Sequence, residues 1–566
     1  MEKYRPTPEK VSNEYEAGLQ FNNGISFYDC VNVNENFFIG KQWEGVRSNG
    51  LPTPVFNFLK RVVLFSVANV STDNLKLHAK PLPSSGKISG QSAEMLTDLL
   101  NEQFSGIFEF NKMGSCIREF CRNAAVDGDG CLYTYWDPDV ETGQPSRGAI
   151  KTEVLPNTQV LFGNPNSREV QSQPYILIER RMLVREARRR AEASGVSREE
   201  REGIAADTKQ SGDPRMDNLG GSKVTVLLRL WRDEKSGTIH GYECTRDREI
   251  KPEWDLGIKL YPITWMNWDY VQDCYHGQAM ITGLIPNQIF VNKLFAMSMI
   301  SLMMLAYPKI MYDKTKVPKW NNRVGAAIGV NGSVENVAKI IDPATISPQI
   351  SQFIDIAISY TQKFLGASDV ALGDTRPDNT SAIIALQRAA STPMELTKQT
   401  LLQCIEDLGR IYMEFMGEYY GERYIEININ PRMKMPALFD FEGLKDLYFT
   451  VELDVGASSY WSEIASMQTL DNLLMQDKID TIEYLKRLPA GQITDRETLI
   501  AVLEANRQQQ MAAQMGAMGV PVSGHAPGPT DEAQPPLRGG PGYGALQKFP
   551  RREERNTWIL HRWKRT

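Results

Sequence analysis

Two kinds of hydrophobic periodicity divide the chain into a strand-rich first half and a helical centre. Residues 54–70 place apolar side chains at helical spacing, and residues 74–82 alternate as a strand does. A second helix is predicted over 93–121. Residues 128–156 and 222–247 each contain two alternating runs around a turn, which predicts two β-hairpins.

The segments around these hairpins have weaker patterns. Residues 1–50 predict a helix followed by a turn, and the dense mixed charge of 183–221 predicts an exposed helix and then a mobile loop. A short strand is expected over 448–459. Helices are predicted over 461–476 and from Thr494, where Thr494 and Glu497 have capping-box spacing.

Long helical patterns dominate the centre of the chain. One helix is predicted from about Gly277 through Met311 and another over 348–366, with a compact, β-containing unit rich in lysine, glycine and proline between them. The glycine- and proline-containing stretch 366–380 predicts an exposed loop with a mobile tip.

A very long helical pattern begins at Asn379 and is interrupted at Pro393, where the missing backbone donor should kink the helix. Beyond the kink, apolar residues recur at spacings of four and three, which predicts a seam that packs on another helix. The seam residues are Leu401, Ile405, Leu408, Tyr412, Phe415 and Tyr419.

The helix over 348–366 has a wide apolar arc and a narrow polar stripe. The stripe consists of Gln352, Asp355, Ser359 and Gln362. Such a helix needs apolar neighbours on both sides. A ring of identical subunits would supply them and leave the stripe facing a central channel, while a mostly buried helix in a monomeric core fits the pattern equally well.

Composition and charge limit the classes of function. A chain of 566 residues with 42% hydrophobic residues should fold into more than one packed region. The net charge of -6 argues against a protein that grips nucleic acid through many phosphate contacts. Beyond about Arg507 the chain becomes rich in Gln, Gly and Pro, which predicts a disordered tail with a basic, tryptophan-containing end.

The cysteines and the N-terminus indicate a reduced, intracellular setting. The seven cysteines are scattered, with no CxxC pair, and the N-terminal residues lack the apolar core of a signal peptide. The apolar run from Leu294 to Tyr307 is shorter than the roughly 20 residues that cross a bilayer. We therefore expect a buried helix there and no membrane association.

Common catalytic signatures are missing from the sequence. It has no phosphate-binding GxxxxGK[ST] loop, HExxH helix or GxSxG elbow, and its five histidines are far apart. Asp127 and Asp129 are interpreted as part of a turn into the first hairpin. Asp369, Asp374 and Asp378 are interpreted as turn formers and helix caps. We therefore predict no catalytic residues, no metal site and no cofactor.

Several strings in the same order resemble the portal proteins of tailed double-stranded DNA bacteriophages. They are NENFFIGKQW, RMLVREARRRAE, HGQAMITGLIPNQIFVNKL, FLGASDVALGDTRPDNTSAIIALQ and DVGASSYWSEIASMQTLDNLLMQDKIDTIEYLKRLP. The resemblance covers roughly residues 20–505 and implies an α+β portal fold with a helical stem and crown, a mixed α/β wing and a small β-containing clip. It assigns nothing to the basic tail.

The resemblance implies a division of the chain along these lines. Residues 1–50 would be an N-terminal helical segment, 51–276 the β-rich first part of the wing with helices, 277–307 stem helix 1, 308–347 the clip, 348–365 stem helix 2, 366–380 the tunnel loop, 381–456 the second part of the wing with the long kinked helix and a strand, 457–506 the crown helices, and 507–566 the disordered tail.

It also implies roles for individual residues. The tunnel loop would present Leu372, Gly373, Asp374, Thr375, Arg376, Pro377, Asp378 and Asn379 to DNA. The channel-lining stem residues would be Gln352, Asp355, Ser359, Gln362 and Lys363. Arg376 and Lys363 are candidates for transient phosphate contacts. The clip would dock partners through Tyr312, Lys314, Lys316, Lys319 and Trp320, and Pro393 would kink the wing helix.

The function implied is structural: a ring, usually dodecameric, at one capsid vertex through which DNA is packaged and ejected. The expected partners are other copies of the chain, double-stranded DNA, the large terminase subunit, the head-tail adaptor, and the major capsid and scaffolding proteins, with assembly in the host cytoplasm. The alternatives are another scaffold or tail component of the virion, a membrane pore subunit, and a nucleic-acid-processing enzyme.

Overall fold

In the computed structural model, about 49% of the described residues are helical and 22% lie in strands of several small sheets, which confirms the α+β class. The chain divides into two compact units, Met1–Ser466 and Met467–Thr566. The structure describes residues 6–48, 50, 52–71, 75–81, 90–207, 222–306, 309–321, 323, 327–335, 337–340, 349–364, 394–430, 433–446, 449–455, 460–476, 478–488, 496, 499–500, 502–504 and 507.

Three helices begin the first unit. They are α1 (Pro8–Gly24), α2 (Phe27–Ile39) and α3 (Phe58–Val70). The Thr7 hydroxyl caps α1 by accepting a hydrogen bond from the amide of Lys10, and Gly40 ends α2 in the left-handed region at a φ of 94°. The amphipathic helix within 54–70 is thus confirmed. For residues 1–50 the final turn is confirmed, but two helices precede it where one was predicted.

The single helix predicted over 93–121 is wrong, because two helices occupy this region. They are α4 (Gly90–Phe110) and α5 (Met113–Asp127). The break lies at Lys112, which has a φ of 51°. The Asn111 side chain beside it accepts a hydrogen bond from the amide of Thr152 and donates one to the carbonyl of Ile150. These contacts tie the break to a strand, and periodicity along one helix cannot reveal them.

A three-stranded antiparallel sheet forms the centre of the first unit. In the order β3–β2–β9, its strands are Ala149–Leu155, Asp129–Asp137 and Ile263–Asn267. The hairpin predicted within 128–156 is therefore confirmed. The largest hydrophobic core joins this sheet to α3, α5 and helix α10 (Glu395–Tyr419) through buried residues such as Val62, Phe120, Leu132 and Phe415.

The predicted seam on α10 is buried at every position except Tyr419, which is half-buried. Its partners differ from the prediction, because α10 packs on strand β9, on β14 (Phe449–Val455) and on the 3-10 turn Phe441–Asp446 as well as on α3. Strand β14 pairs antiparallel with β1 (Leu75–Pro81), so both predicted strands are confirmed. The hairpin of β12 (Glu422–Asn430) and β13 (Met433–Asp440) was not predicted.

A five-stranded antiparallel sheet lies between these elements in sequence. Its strands, in the order β4–β5–β6–β7–β8, are Val160–Phe162, Ile176–Leu183, Lys223–Arg232, Ile239–Cys244 and Glu249–Asp255. The second predicted hairpin is confirmed as β6–β7. Helix α1 binds this sheet through the buried guanidinium of Arg229, which donates to Glu14 Oε2 at 2.7 Å.

Helices α6 (Val184–Ala193) and α7 (Arg198–Glu202) follow β5. The predicted charged helix is confirmed as α6, but only one of its sides is exposed. Ala187 and Ala191 are buried in a small core with Val224 and Val226. The loop expected after it falls largely on 208–221, outside the described residues.

Two helices joined by a small hairpin make up the remainder of the predicted helical centre. They are α8 (Ile285–Ala306) and α9 (Gln349–Phe364), and between them β10 (Ile310–Tyr312) pairs with β11 (Ala338–Ile340). The start predicted at Gly277 is wrong. Pro286 has no amide to donate within a helix, so it fits only the first turn. The predicted end at Met311 is also wrong, because Met311 lies in β10.

The C-terminal helices are α11 (Tyr460–Met475) and α12 (Thr481–Arg487). The helix predicted over 461–476 is confirmed as α11. Helix α12 was not predicted; Asp480 caps it by accepting a hydrogen bond from the amide of Thr481 at 2.8 Å. Thr494, Glu497 and the tail beyond Arg507 lie outside the described residues.

Candidate functional site

Buried amide side chains fix the base of the α8–α9 hairpin. The Gln288 side chain donates to the carbonyl of Phe56 at 2.8 Å, and the Asn292 side chain donates to the Gln42 side chain at 2.6 Å. Gln288 and Asn292 are both almost completely buried. Because a buried amide without partners is costly, these bonds hold the first turns of α8 in one position against the N-terminal segment.

Helix α9 packs along α8 through one of its sides. Val291 and Leu294 of α8 form a small core with Ile354 of α9, and the Asn287 side chain donates to the Thr361 hydroxyl at 3.0 Å. Thr361 is 2% exposed. The two helices therefore form one antiparallel hairpin.

The other two sides of α9 are exposed and have different chemistry. Each residue of a second apolar face directly follows a residue of the predicted polar stripe, so the two faces are separated by the roughly 100° of rotation per residue of an α-helix. On the stripe, Gln352 and Asp355 are exposed and Ser359 is half-buried. The second apolar face consists of Phe353, Ile356 and Tyr360, which are 55%, 49% and 58% exposed.

This arrangement favours one of the two interpretations of the sequence. A mostly buried helix in a monomeric core would have no exposed apolar face, whereas α9 exposes one in the single chain. A helix with one side on its own hairpin, one polar side and one unburied apolar side fits a subunit that packs against further copies.

The second half of α8 is also exposed. Leu302, Met303, Met304 and Leu305 are each about half exposed, and Thr282–Ala306 is long and apolar enough to cross a membrane by length and composition. The expectation of a buried helix over Leu294–Tyr307 is therefore wrong for the isolated chain as far as Ala306, since only 17% of an 18-residue apolar window within Thr282–Ala306 is buried. The apolar positions of the sequence predict that this side of the helix is buried, but not whether the same chain or another copy buries it.

The tip of the hairpin combines lysines with aromatic side chains. Tyr312 and Trp320 stack with their ring centroids 5.0 Å apart. Lys314 and Lys319 beside them are exposed, while Lys316 is half-buried. The predicted clip residues thus lie together on one small β-containing unit.

The turn after β10 is held by Asp313. Its carboxylate accepts hydrogen bonds from the amide and the hydroxyl of Thr315 at 2.9 and 2.5 Å. These bonds lower the pKa of Asp313 below its ordinary value.

The remaining predicted site residues lie outside what the structure describes. They are the tunnel-loop residues Leu372, Gly373, Asp374, Thr375, Arg376, Pro377, Asp378 and Asn379, the side chains of Gln362 and Lys363, and Pro393. Their roles remain predictions.

Sequence reasoning missed a buried polar centre directly before α8. The Asp129 carboxylate, completely buried in β2, accepts hydrogen bonds from the Asn267 side chain at 2.7 Å and from the amide of Gly277 at 2.6 Å. His276 Nδ1 lies 2.6 Å from the same carboxylate, and its ring stacks on Phe27 at 3.7 Å. Asp129 is therefore a structural anchor for the segment that leads into α8.

No local signal could have revealed this centre, because the partners of Asp129 are 28 to 148 positions away in sequence. The neighbouring Tyr275 is fully buried, and the loss of solvent raises its pKa well above the ordinary value.

The cysteine thiols have structural rather than reactive roles. All seven cysteines are unpaired, and burial raises the pKa of Cys121 to about 12. Burial also raises the pKa of Cys131 and Cys404, so these thiols are not activated nucleophiles. Within the described ranges, no three His, Cys, Asp or Glu side chains are grouped as metal ligands would be.

A family model described as the phage P22-like portal protein matches residues 177–442. The matched region runs from β5 to just beyond β13 and includes the whole α8–α9 hairpin with its tip. No curated protein matches the chain.

This match covers 266 of the 566 residues. Together with a mixed α+β fold that carries an exposed helical hairpin, it supports a portal protein of a tailed phage. Proteins of the matched family are structural rather than enzymatic, and the family implies an oligomeric ring that associates with the capsid and with DNA at a virion vertex.

Proposed function

We propose that about twelve copies of this portal protein form a ring in which the α8–α9 hairpins make up the stem around the DNA channel. The supporting observation is the second apolar face of α9, together with the exposed second half of α8. Both surfaces are apolar, continue from a well-packed hairpin base, and would be covered by the hairpins of neighbouring copies.

The polar stripe would then face the channel. On α9, Gln352 and Asp355 point away from both α8 and the second apolar face. A neighbouring copy can therefore cover the apolar face without covering the polar stripe. An uncharged and acidic wall suits a conduit, because few phosphate contacts form and DNA can slide. The tunnel loop, 366–380, would reach into the same channel, with Arg376 and Lys363 making transient phosphate contacts.

The tip of the hairpin would be the clip. Tyr312, Lys314, Lys316, Lys319 and Trp320 lie at the end of the hairpin farthest along the chain from its anchored base, where a partner can reach them. The partners proposed for it are the large terminase subunit during packaging and the head-tail adaptor afterwards. The wing would contact the major capsid and scaffolding proteins during assembly in the host cytoplasm.

A membrane pore is the second candidate, favoured only by the length and apolar composition of Thr282–Ala306. The portal proposal accounts for the same surface by contact between copies. It also accounts for the buried amides at the base of α8, which hold the helix against its own chain. We propose no catalytic activity for the protein.

A charge placed on the second apolar face tests the ring proposal. We expect Ile356→Glu to prevent ring formation, because each interface would lose the burial of an isoleucine, about 1.5–3 kcal/mol, and would enclose an unpaired charge. Gln352→Glu is the matched control: it adds the same charge to the exposed polar stripe of the same helix, and rings should still form.

Mass determination and circular dichroism of both variants provide the measurement. Folded monomers of Ile356→Glu beside rings of Gln352→Glu support the proposal. Rings of Ile356→Glu that match the unaltered protein in number and stability would show that this face does not lie between copies.

A further inference from the structure

Charge is distributed unevenly between the clip and the rest of the chain. Residues 308–347 contain six basic and three acidic residues, although the whole chain has a net charge of -6. The six are Lys309, Lys314, Lys316, Lys319, Arg323 and Lys339. In a ring these charges are repeated in every copy and concentrated at one end of the assembly.

Most of these lysines are not neutralised within the subunit. Lys309, Lys314, Lys319 and Lys339 are exposed, and none of them forms an ion pair with a carboxylate among the described residues. Lys316 is different, since its ammonium group donates to the carbonyl of Glu335 and lies near Asp313. The exposed lysines thus form a cationic surface that an external group can neutralise.

Apolar side chains are exposed between these lysines. Met311 is 55% exposed and pairs across the hairpin with Lys339, and Val334 is 78% exposed. Tyr312, stacked on Trp320, is 38% exposed. Protein interfaces combine exposed aromatic and methionine side chains with a charged rim, whereas a DNA backbone presents phosphates and sugars and no apolar pocket.

We propose that the clip binds an acidic protein surface that also contains apolar side chains, and that the exposed lysines supply the electrostatic attraction. This inference rests on the proposed function, in which the clip docks the motor and the adaptor. It adds the chemistry of the partner: clustered aspartates and glutamates around an apolar centre. Complementary charge of this kind mainly accelerates association and makes binding dependent on salt.

The test uses intact rings with the large terminase subunit and the head-tail adaptor encoded by the same phage. The dissociation constant of each pair is measured between low and high salt. We expect binding to weaken at least about tenfold over this range, and Lys314→Glu/Lys319→Glu to weaken it by about tenfold or more at low salt. Lys235→Glu, at an exposed turn of the wing, is the matched control and should leave binding unchanged.

A second variant separates the failure of this inference from the failure of the docking role. Met311→Gln/Val334→Gln removes exposed apolar groups without altering charge. If this variant weakens binding while salt and the lysine substitutions do not, the clip docks the partner and the acidic-surface inference is wrong. If neither variant alters the affinity for either partner, the clip is not the docking site and both proposals fail.

A short duplex DNA serves as the remaining probe. The inference expects the lysine substitutions to affect protein binding more than DNA binding. If they abolish binding of the duplex by the ring and leave terminase and adaptor binding intact, the lysines serve DNA and the inference is overturned.

Discussion

Removing the Asp129 carboxylate should destabilise the protein strongly, although Asp129 lies outside the surfaces proposed to bind DNA or other proteins. In the folded chain the carboxylate is completely buried and faces four donors: His276 Nδ1, the side chains of Asn267 and Asn157, and the amide of Gly277. Asp129→Ala leaves these buried donors without their acceptor. Breaking a buried, hydrogen-bonded pair of this kind costs about 3–5 kcal/mol of unfolding free energy.

Chemical denaturation followed by tryptophan fluorescence measures this loss. Trp265 is a suitable probe, because its indole is buried beside Tyr275 and His276 and its Nε1 donates to the carbonyl of Tyr275 at 3.1 Å. The matched control is Asp139→Ala, which removes an aspartate from the exposed turn of the β2–β3 hairpin and should change stability by no more than about 0.5 kcal/mol.

Coupling between the two central side chains is a further readout. If Asp129 and His276 act as one unit, the loss caused by Asp129→Ala combined with His276→Ala should be smaller than the sum of the single losses. Equal denaturation midpoints for Asp129→Ala and Asp139→Ala would refute the anchoring role of this centre.

Two further predictions concern the β2–β3 hairpin. Gly148 has a φ of 105°, and a Cβ added there would overlap the Trp136 indole. Gly148→Ala should therefore cost clearly more stability than Gly143→Ala, where φ is 71° but the space is open. Equal thermal midpoints of the two variants would contradict this. The ammonium group of Lys151, 2.5 Å from Asp137, lowers the pKa of that carboxyl. A carboxyl group whose pKa is lowered in the folded state stabilises the fold at neutral pH, and this stabilisation is lost as the pH falls through that pKa. Asp137→Asn should therefore lower the free energy of unfolding by at most about 1 kcal/mol at neutral pH and leave it unchanged near about pH 2. A loss of stability that persists in acid would show another cause.

The sequence predicted the elements whose pattern depends on their own neighbours in the chain. Helix α3, the β2–β3 and β6–β7 hairpins and the buried positions of α10 follow from local periodicity and turn chemistry. The break at Lys112 did not follow, because it is tied to a distant strand through the Asn111 side chain. The late start of α8 has a local signal in Pro286, which the helical pattern from Gly277 obscured.

The candidate site was predictable only in part for the same reason. The polar stripe of α9 is visible in the sequence, but its apolar arc proved to be two faces, one on α8 and one exposed. Periodicity shows which residues avoid water and does not show whether the same chain or another copy covers them. The Asp129 centre is formed by residues from four distant segments, so no spacing rule could have found it.

The measurement that tests the central claim most directly is electron microscopy of the purified, unaltered protein in detergent-free buffer, combined with mass determination of the same sample. We expect closed rings of about twelve copies around an open channel, with the α8–α9 hairpins side by side at its wall. A protein that remains monomeric at all concentrations, or that requires detergent to stay in solution, would contradict the proposed ring and the assignment of the hairpin as its stem.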